Sequence, residues 1–238
     1  MRQLTISDGR ASLRVSELCL GTMYFGYRTD EAAAFAILDR FLEAGGTFLD
    51  TANNYGQWHG EAGESERVIG RWMRSRGVVG TMVVATKVGA RTTVPGDPDP
   101  RHWQGLAARV IREDAETSLR NLGVDRLDLY YAHIERLTLF AYSPLLAGAY
   151  AHPDRSVPAA YQHAANHARL ATLRDVAAEH LATANQVVLA WLLHRQPAII
   201  PVPGASSVAQ LDEILAATEL KLNAEDLDRL DTAGRFAN

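Results

Sequence analysis

A chain of 238 residues with a formal net charge of -4 is long enough for one sizeable core and lacks the broad basic face of a nucleic-acid binder. Its single cysteine, Cys19, excludes an intrachain disulfide framework, and no apolar run approaches the roughly 18 residues of a membrane span. Met1 to Arg10 is polar, so a soluble cytoplasmic protein is expected, with neither membrane nor nucleic acid as partner.

Gln3 to Ser16 alternates around Asp8-Gly9, which predicts an N-terminal hairpin. Glu17 to Thr22 reads as a first buried strand, with Cys19 as a packing residue. Asp30 can cap a helix whose apolar positions Ala34, Ile37, Leu38, Phe41 and Leu42 recur at helical spacing, and Gly45-Gly46 ends it. Thr47, Phe48 and Leu49 form a short buried strand that breaks into small and polar residues. Asp50 therefore falls at its C-terminal end and Tyr55 in the loop beyond. Ser65 to Arg76 is a second helix, and Met82 to Ala85 is a strand delivering Thr86 and Lys87. The long loop Gly89 to Gln104 is rich in Pro and Gly, and loops of that length are usually functional or mobile. Leu106 to Leu122 is a third helix, and Leu127 to Ala132 a strand ending at His133.

This alternation of strand and helix signals a parallel sheet with crossover helices. It breaks after His133, where only Ile134, Glu135 and Arg136 precede the next strand, Leu137 to Ala141, and a parallel crossover needs about a dozen residues. Helices near Ala165 to His180 and Gln186 to Arg195, a strand Ala198 to Val202, a helix Val208 to Ala217 and a terminal helix from Ala224 complete the chain. The expectation is one α/β domain over residues 1–238 with about six strands and a junction near 134–137, where a closed barrel of this type has about eight strands.

Asp50, Tyr55, Lys87 and His133 fall at one edge of three successive strands, the edge at which parallel barrels place their chemistry. Singly, each reads as a cap, a packing residue or a structural hydrogen bond. Together they suit hydride transfer to a carbonyl, whose oxygen needs a proton and a donor-lined pocket as hydride arrives. Tyr55 would supply the proton. Since an unperturbed phenol titrates at about 10, Lys87 would have to acidify it while Asp50 held Lys87 in place. His133 would orient the substrate oxygen. Two other functions fit part of the pattern: a dinucleotide-binding protein without turnover, and an aldolase forming a Schiff base on Lys87. No metal is expected, because His133 and Glu135 lack the companion histidine of a zinc site.

At these residues the chain resembles the aldo-keto reductase family. The carriers are Phe48-Leu49-Asp50-Thr51-Ala52 with Tyr55-Gly56, then Gly63-Glu64-Ser65-Glu66 with Ile69-Gly70. Ala85-Thr86-Lys87-Val88 and Leu127-Asp128-Leu129-Tyr130 with His133 follow in the same order as the family's motifs. The resemblance implies a (β/α)8 TIM-barrel fold, with Asp50, Tyr55, Lys87 and His133 catalytic. It also implies a nicotinamide dinucleotide, usually NADPH with NAD possible, and a small carbonyl substrate. Ala141-Tyr142-Ser143-Pro144-Leu145 is similar to the seventh-strand motif, where Tyr142 would stack on the nicotinamide and Ser143, Pro144 and Leu145 would approach the pyrophosphate. Ile200 to Ser207 with Gln210 to Glu213 is similar to the adenosine-phosphate segment, which implies Gly204, Ser206, Gln210 and Glu213 as cofactor residues. Gly21, Thr22, Met23 and Asp50 join them at the first strand ends. A helix starting near Ser207 suits phosphate physically, though Ser207 can equally be only its cap.

Between His133 and the seventh-strand motif the family has two further strands with their helices. At roughly 30 residues per unit, about 60 residues of the pattern are absent. With them go the residues that hold the carboxamide of the cofactor in relatives. A monomer, or self-association that covers open barrel edges, is the expected state. Pocket walls would come from the loops Met23 to Arg28 and Asn53 to His59 and from the long loop containing Trp103, and their aromatic content favours a ring-bearing carbonyl.

Overall fold

The computed structural model describes residues 1–7, 12–97, 99–132, 140–142, 144–150, 157, 161–195 and 199–234. The chain divides into two compact units, Met1–Thr138 with Gly204–Leu211, and Leu139–Pro203 with Asp212–Asn238.

The first unit opens with β1 (Gln3–Ser7) and β2 (Ser12–Ser16), an antiparallel pair running from Gln3 opposite Ser16 to Ser7 opposite Ser12. The Asp8-Gly9 turn lies outside the described residues. Four parallel strands follow in sequence order: β3 (Cys19–Gly21), β4 (Phe48–Asp50), β5 (Val83–Val88) and β6 (Leu129–Ala132). Between them run α1 (Glu31–Glu43), α2 (Glu64–Arg76) and α3 (Ala108–Leu122). The fold class read from the sequence, α/β with parallel strands and crossover helices, is what forms.

Strand β3 is shorter than the Glu17 to Thr22 reading. Glu17 is bound to the hairpin instead, its carboxylate accepting from the Arg2 backbone N–H at 2.8 Å and from Arg2 Nε at 2.6 Å. Thr22, at the other end, turns its backbone N–H and its hydroxyl onto the Asp50 carbonyl, at 3.0 and 2.8 Å.

Helix α1 starts where the sequence predicts, with the Asp30 carboxylate accepting from the Ala33 N–H at 2.8 Å and Ala34, Ile37, Leu38 and Phe41 buried on one face. Leu20, Phe48 and Leu49 of β3 and β4 are likewise withdrawn from water; burying side chains of this size stabilises by about 1.5–3 kcal/mol each. Helix α2 buries Val68, Ile69, Trp72 and Met73, and the one polar atom of the Trp72 ring reaches Asp39 Oδ1 at 2.8 Å. Gly70 lets α2 approach α3, since a Cβ there would stand 2.6 Å from the Asn121 and Leu122 carbonyls.

In the second unit β7 (Phe140–Tyr142) pairs parallel with β8 (Ile200–Val202), so six parallel strands are present among the described residues. The start of the strand read from Leu137 lies outside them. Helices α4 (Ala164–Glu179) and α5 (Ala184–Leu193) pack Leu173, Val176, Ala177, Val187 and Ala190 around Leu222. Helix α5 begins two residues before the sequence reading, because Thr183 and Gln186 form a reciprocal capping box. Helix α6 (Val208–Ala216) and helix α7 (Ala224–Thr232) match their expected positions.

Candidate active site

The strand register builds the site. Asp50 ends β4 opposite Ala85, and Lys87 lies two residues further along the same face of β5, opposite Tyr131 of β6. A period of two in strands therefore puts a carboxylate, an ammonium and a phenol on one side of the sheet at its C-terminal edge. Tyr55 returns to them from the loop after β4, which is knotted by short backbone bonds such as Tyr55 N–H to the Ala52 carbonyl at 3.2 Å and Gly63 N–H to the Tyr55 carbonyl at 3.0 Å.

Lys87 Nζ donates to Asp50 Oδ2 at 2.6 Å, to the Thr51 carbonyl at 2.6 Å and to Tyr55 Oη at 2.9 Å. An ammonium has three N–H groups, and these are three directed partners. The group is dry: Asp50 is 3%, Lys87 2% and Tyr55 7% exposed. Because an ammonium cannot accept, the hydroxyl hydrogen of Tyr55 is directed elsewhere than Lys87. Asp50, Tyr55 and Lys87 are thus brought together as the sequence reading expects. His133 lies outside the described residues.

One detail departs from expectation. Lys87 was expected to acidify Tyr55, yet the phenol stands well above its ordinary value, first through burial and then through the Asp50 carboxylate. The physical reason is charge balance: Asp50 neutralises Lys87 at close range, which leaves desolvation dominant. The resting site keeps its phenol protonated. Burial likewise pushes the Cys19 thiol up, in keeping with a packing role.

Tyr131 was missed by the sequence reading. Its hydroxyl donates to Asp50 Oδ1, and the Lys87 ammonium lies 5.5 Å from its ring centre and 4.8 Å from that of Tyr55. Tyr131 lies opposite Lys87 in the β5–β6 register, a pairing that residue spacing along the chain does not reveal. Its neighbour Tyr130 points the other way, donating to the Ile111 carbonyl of α3 at 3.2 Å.

Two of the expected wall loops meet. Tyr27 stacks on His59 with ring centres 4.4 Å apart, and Arg28 lies 5.0 Å from the Tyr24 ring centre and 5.5 Å from that of Tyr27. Under them Asn53 Nδ2 donates to the buried Asp114 at 2.7 Å, and Arg91 of the long loop holds the other carboxylate oxygen at 3.0 Å.

Among the expected cofactor residues, Gly21 bridges to Gly204 and Thr22 shares a hydrogen bond with Ser65 at 2.8 Å, while Met23 is exposed. Ser206 donates through its N–H and its hydroxyl to Gln210 Oε1, at 2.8 and 2.9 Å, and Ser207 Oγ accepts from the Gln210 N–H at 3.2 Å. These bonds tie the segment before α6 to the helix's own first turn. In the second unit, Glu213 accepts from Thr183 Oγ1 at 2.7 Å and Asn185 Nδ2 at 3.3 Å, a bond to α5. Tyr142 ends β7, a turn containing Pro144 and Leu145 follows, and Ser143 lies outside the described residues.

The aldo/keto reductase family model matches residues 17–139 and 135–235. An uncharacterized oxidoreductase of Bacillus subtilis, YrpG, is 47% identical over 132 residues, which is 55% of this chain and 40% of that protein. The norsolorinic acid reductase stcV of Emericella nidulans is 44% identical over 133 residues, 52% of this chain and 33% of that protein. The aldo-keto reductase str7 of Strobilurus tenacellus is 26% identical over 309 aligned positions, 90% of this chain and 87% of that protein. The first two matches span well under half of those relatives. The third is longer than the 238-residue chain, so str7 carries residues that this chain lacks. With the family model matched along almost its whole length, this chain belongs to the aldo/keto reductase family.

Proposed function

We propose that the protein is a nicotinamide-dependent carbonyl reductase in which Tyr55 delivers the proton to the substrate oxygen. The observation that carries this reading is the Lys87 ammonium, which joins Asp50 and Tyr55 in one buried cluster. When bound, the reduced dinucleotide supplies the hydride. The chain's part is to hold a proton on Tyr55 until an alkoxide forms, then to stabilise the phenolate through Lys87 at 2.9 Å. His133 would orient the carbonyl oxygen, and Asp50 holds the Lys87 ammonium in position.

Gly21, Thr22, Met23, Tyr142 to Leu145, Gly204, Ser206, Gln210 and Glu213 are proposed to hold the cofactor, with NADPH preferred over NADH. The N-terminus of α6 supports a phosphate there. The stacked loop aromatics support a ring-bearing carbonyl, and relatives named as norsolorinic acid reductases and as an aryl-alcohol dehydrogenase point the same way. We read the chain as one interrupted barrel domain with its junction near 134–137, because the two family-model segments meet at 135–139.

NADPH oxidation with a panel of aromatic aldehydes tests the reading. Replacing Tyr55→Phe is expected to lower kcat by about a hundredfold or more. Equal rates for the two proteins would remove Tyr55 as the proton donor. Saturable NADPH binding with no turnover would favour a cofactor-binding protein without catalysis. A Schiff-base aldolase is disfavoured by Asp50, which pairs at 2.6 Å with the very nitrogen that would have to attack.

A further inference from the structure

We propose that Tyr131 is a positioning residue: it anchors Asp50, and through Asp50 it keeps the Lys87 ammonium on the Tyr55 oxygen. The inference rests on the reductase reading of Tyr55 but is testable without turnover.

Asp50 has two carboxylate oxygens with different partners. Lys87 takes Oδ2 at 2.6 Å and the Tyr131 hydroxyl takes Oδ1. A bond to each oxygen restrains rotation of the carboxylate about its side-chain bond more than the Lys87 bond does by itself. The position of Asp50 matters because the same ammonium also donates to Thr51 and Tyr55, so a shift toward one acceptor loosens another. The Tyr131 ring also flanks the ammonium at 5.5 Å, opposite Lys87 in the β5–β6 register, so backbone pairing and side-chain contact impose the same placement.

There is an electrostatic consequence. A hydrogen bond to a carboxylate disperses its charge, so the Tyr131 hydroxyl weakens both the pull of Asp50 on Lys87 and its repulsion of a phenolate forming on Tyr55. Without that hydroxyl, Asp50 would compete harder for Lys87, and Tyr55 would hold its proton more tightly. A Tyr131 that merely packed its ring would have neither effect.

The substitution Tyr131→Phe keeps the ring and removes the hydrogen bond to Asp50 Oδ1. The chain has only two lysines, Lys87 and Lys221, so selective 15N-lysine labelling gives two ammonium signals, with exposed Lys221 as internal control. Expected in Tyr131→Phe are a displaced Lys87 signal with about tenfold faster hydrogen exchange, an unmoved Lys221 signal, and a native far-UV spectrum. In turnover kcat should fall about tenfold, with the alkaline limb of its pH profile moved upward and the KM for NADPH within twofold. In an Asp50→Ala background, where residue 50 has no side-chain oxygen to accept from Tyr131, the same substitution should add nothing. An unchanged Lys87 signal, or effects of Tyr131→Phe and Asp50→Ala that simply add, would overturn the proposal. If wild type reduces no carbonyl while the Lys87 signal still responds to Tyr131→Phe, the reductase reading fails and the anchoring of Asp50 stands.

Discussion

Lys87 is the residue on which the site turns, and its energetics have a testable sign. A buried ion pair is weak evidence of stability, but removing one partner strands the other charge away from water. The Asp50 and Lys87 side chains are 5% and 3% exposed, so Lys87→Met is expected to destabilise the protein by about 3–5 kcal/mol in urea unfolding. The double variant Asp50→Asn with Lys87→Met should recover a good part of that loss, since no unpaired charge remains. A double variant no more stable than the single one would show that packing of the lysine stem outweighs its charge. At this scale Asp50, Tyr55 and Lys87 were legible from residue type and position alone. Tyr131 was not, because tyrosine in a strand is most often packing, and only its contact with Asp50 distinguishes it from Tyr130.

Helix boundaries were legible to within a few residues where a cap or a glycine marked them, as at Asp30 for α1. What the pattern did not reveal was how closely the elements approach. Gly70 sits inside α2, where glycine is worth about 1 kcal/mol less than alanine by propensity. Propensity alone therefore predicts that Gly70→Ala stabilises. The neighbouring α3 reverses the sign: a Cβ would stand 2.6 Å from two backbone carbonyls that cannot rotate away, and overpacking of this kind costs about 1–3 kcal/mol. Gly70→Ala should lower Tm by several degrees, and a rise would mean that α3 can retreat. At α5 the Thr183-x-x-Gln186 capping box starts the helix at Ala184, ahead of the apolar run.

Global stability should report the buried phenol at alkaline pH. The folded-state pKa of Tyr55 lies above its unfolded value of about 10. The native state therefore keeps a proton that the unfolded state releases, and stability present below pH 10 is lost as pH rises beyond it, by about 1.4 kcal/mol per pH unit for this group. Other tyrosines contribute in the same direction, so the comparison is between wild type and Tyr55→Phe. The variant should lose stability less steeply above pH 10, by denaturant unfolding at successive pH values, and parallel slopes would show that Tyr55 ionises normally. Among the described residues no helix is long and apolar enough to cross a membrane. The length relation to str7 also belongs to this scale: residues of that relative are lacking here.

The amino-acid sequence by itself determined the class of fold, the order of its strands and helices, and three of the residues that meet at the sheet edge. Each follows from local information: side-chain periodicity, caps, and breaks between strand and loop. Only the tertiary structure decided that Asp50 bonds both Lys87 and Tyr131, and that burial raises the phenol of Tyr55 above its ordinary value. Those outcomes depend on distances between strands and on water excluded by distant parts of the chain, and neither is encoded in the spacing of residues along it.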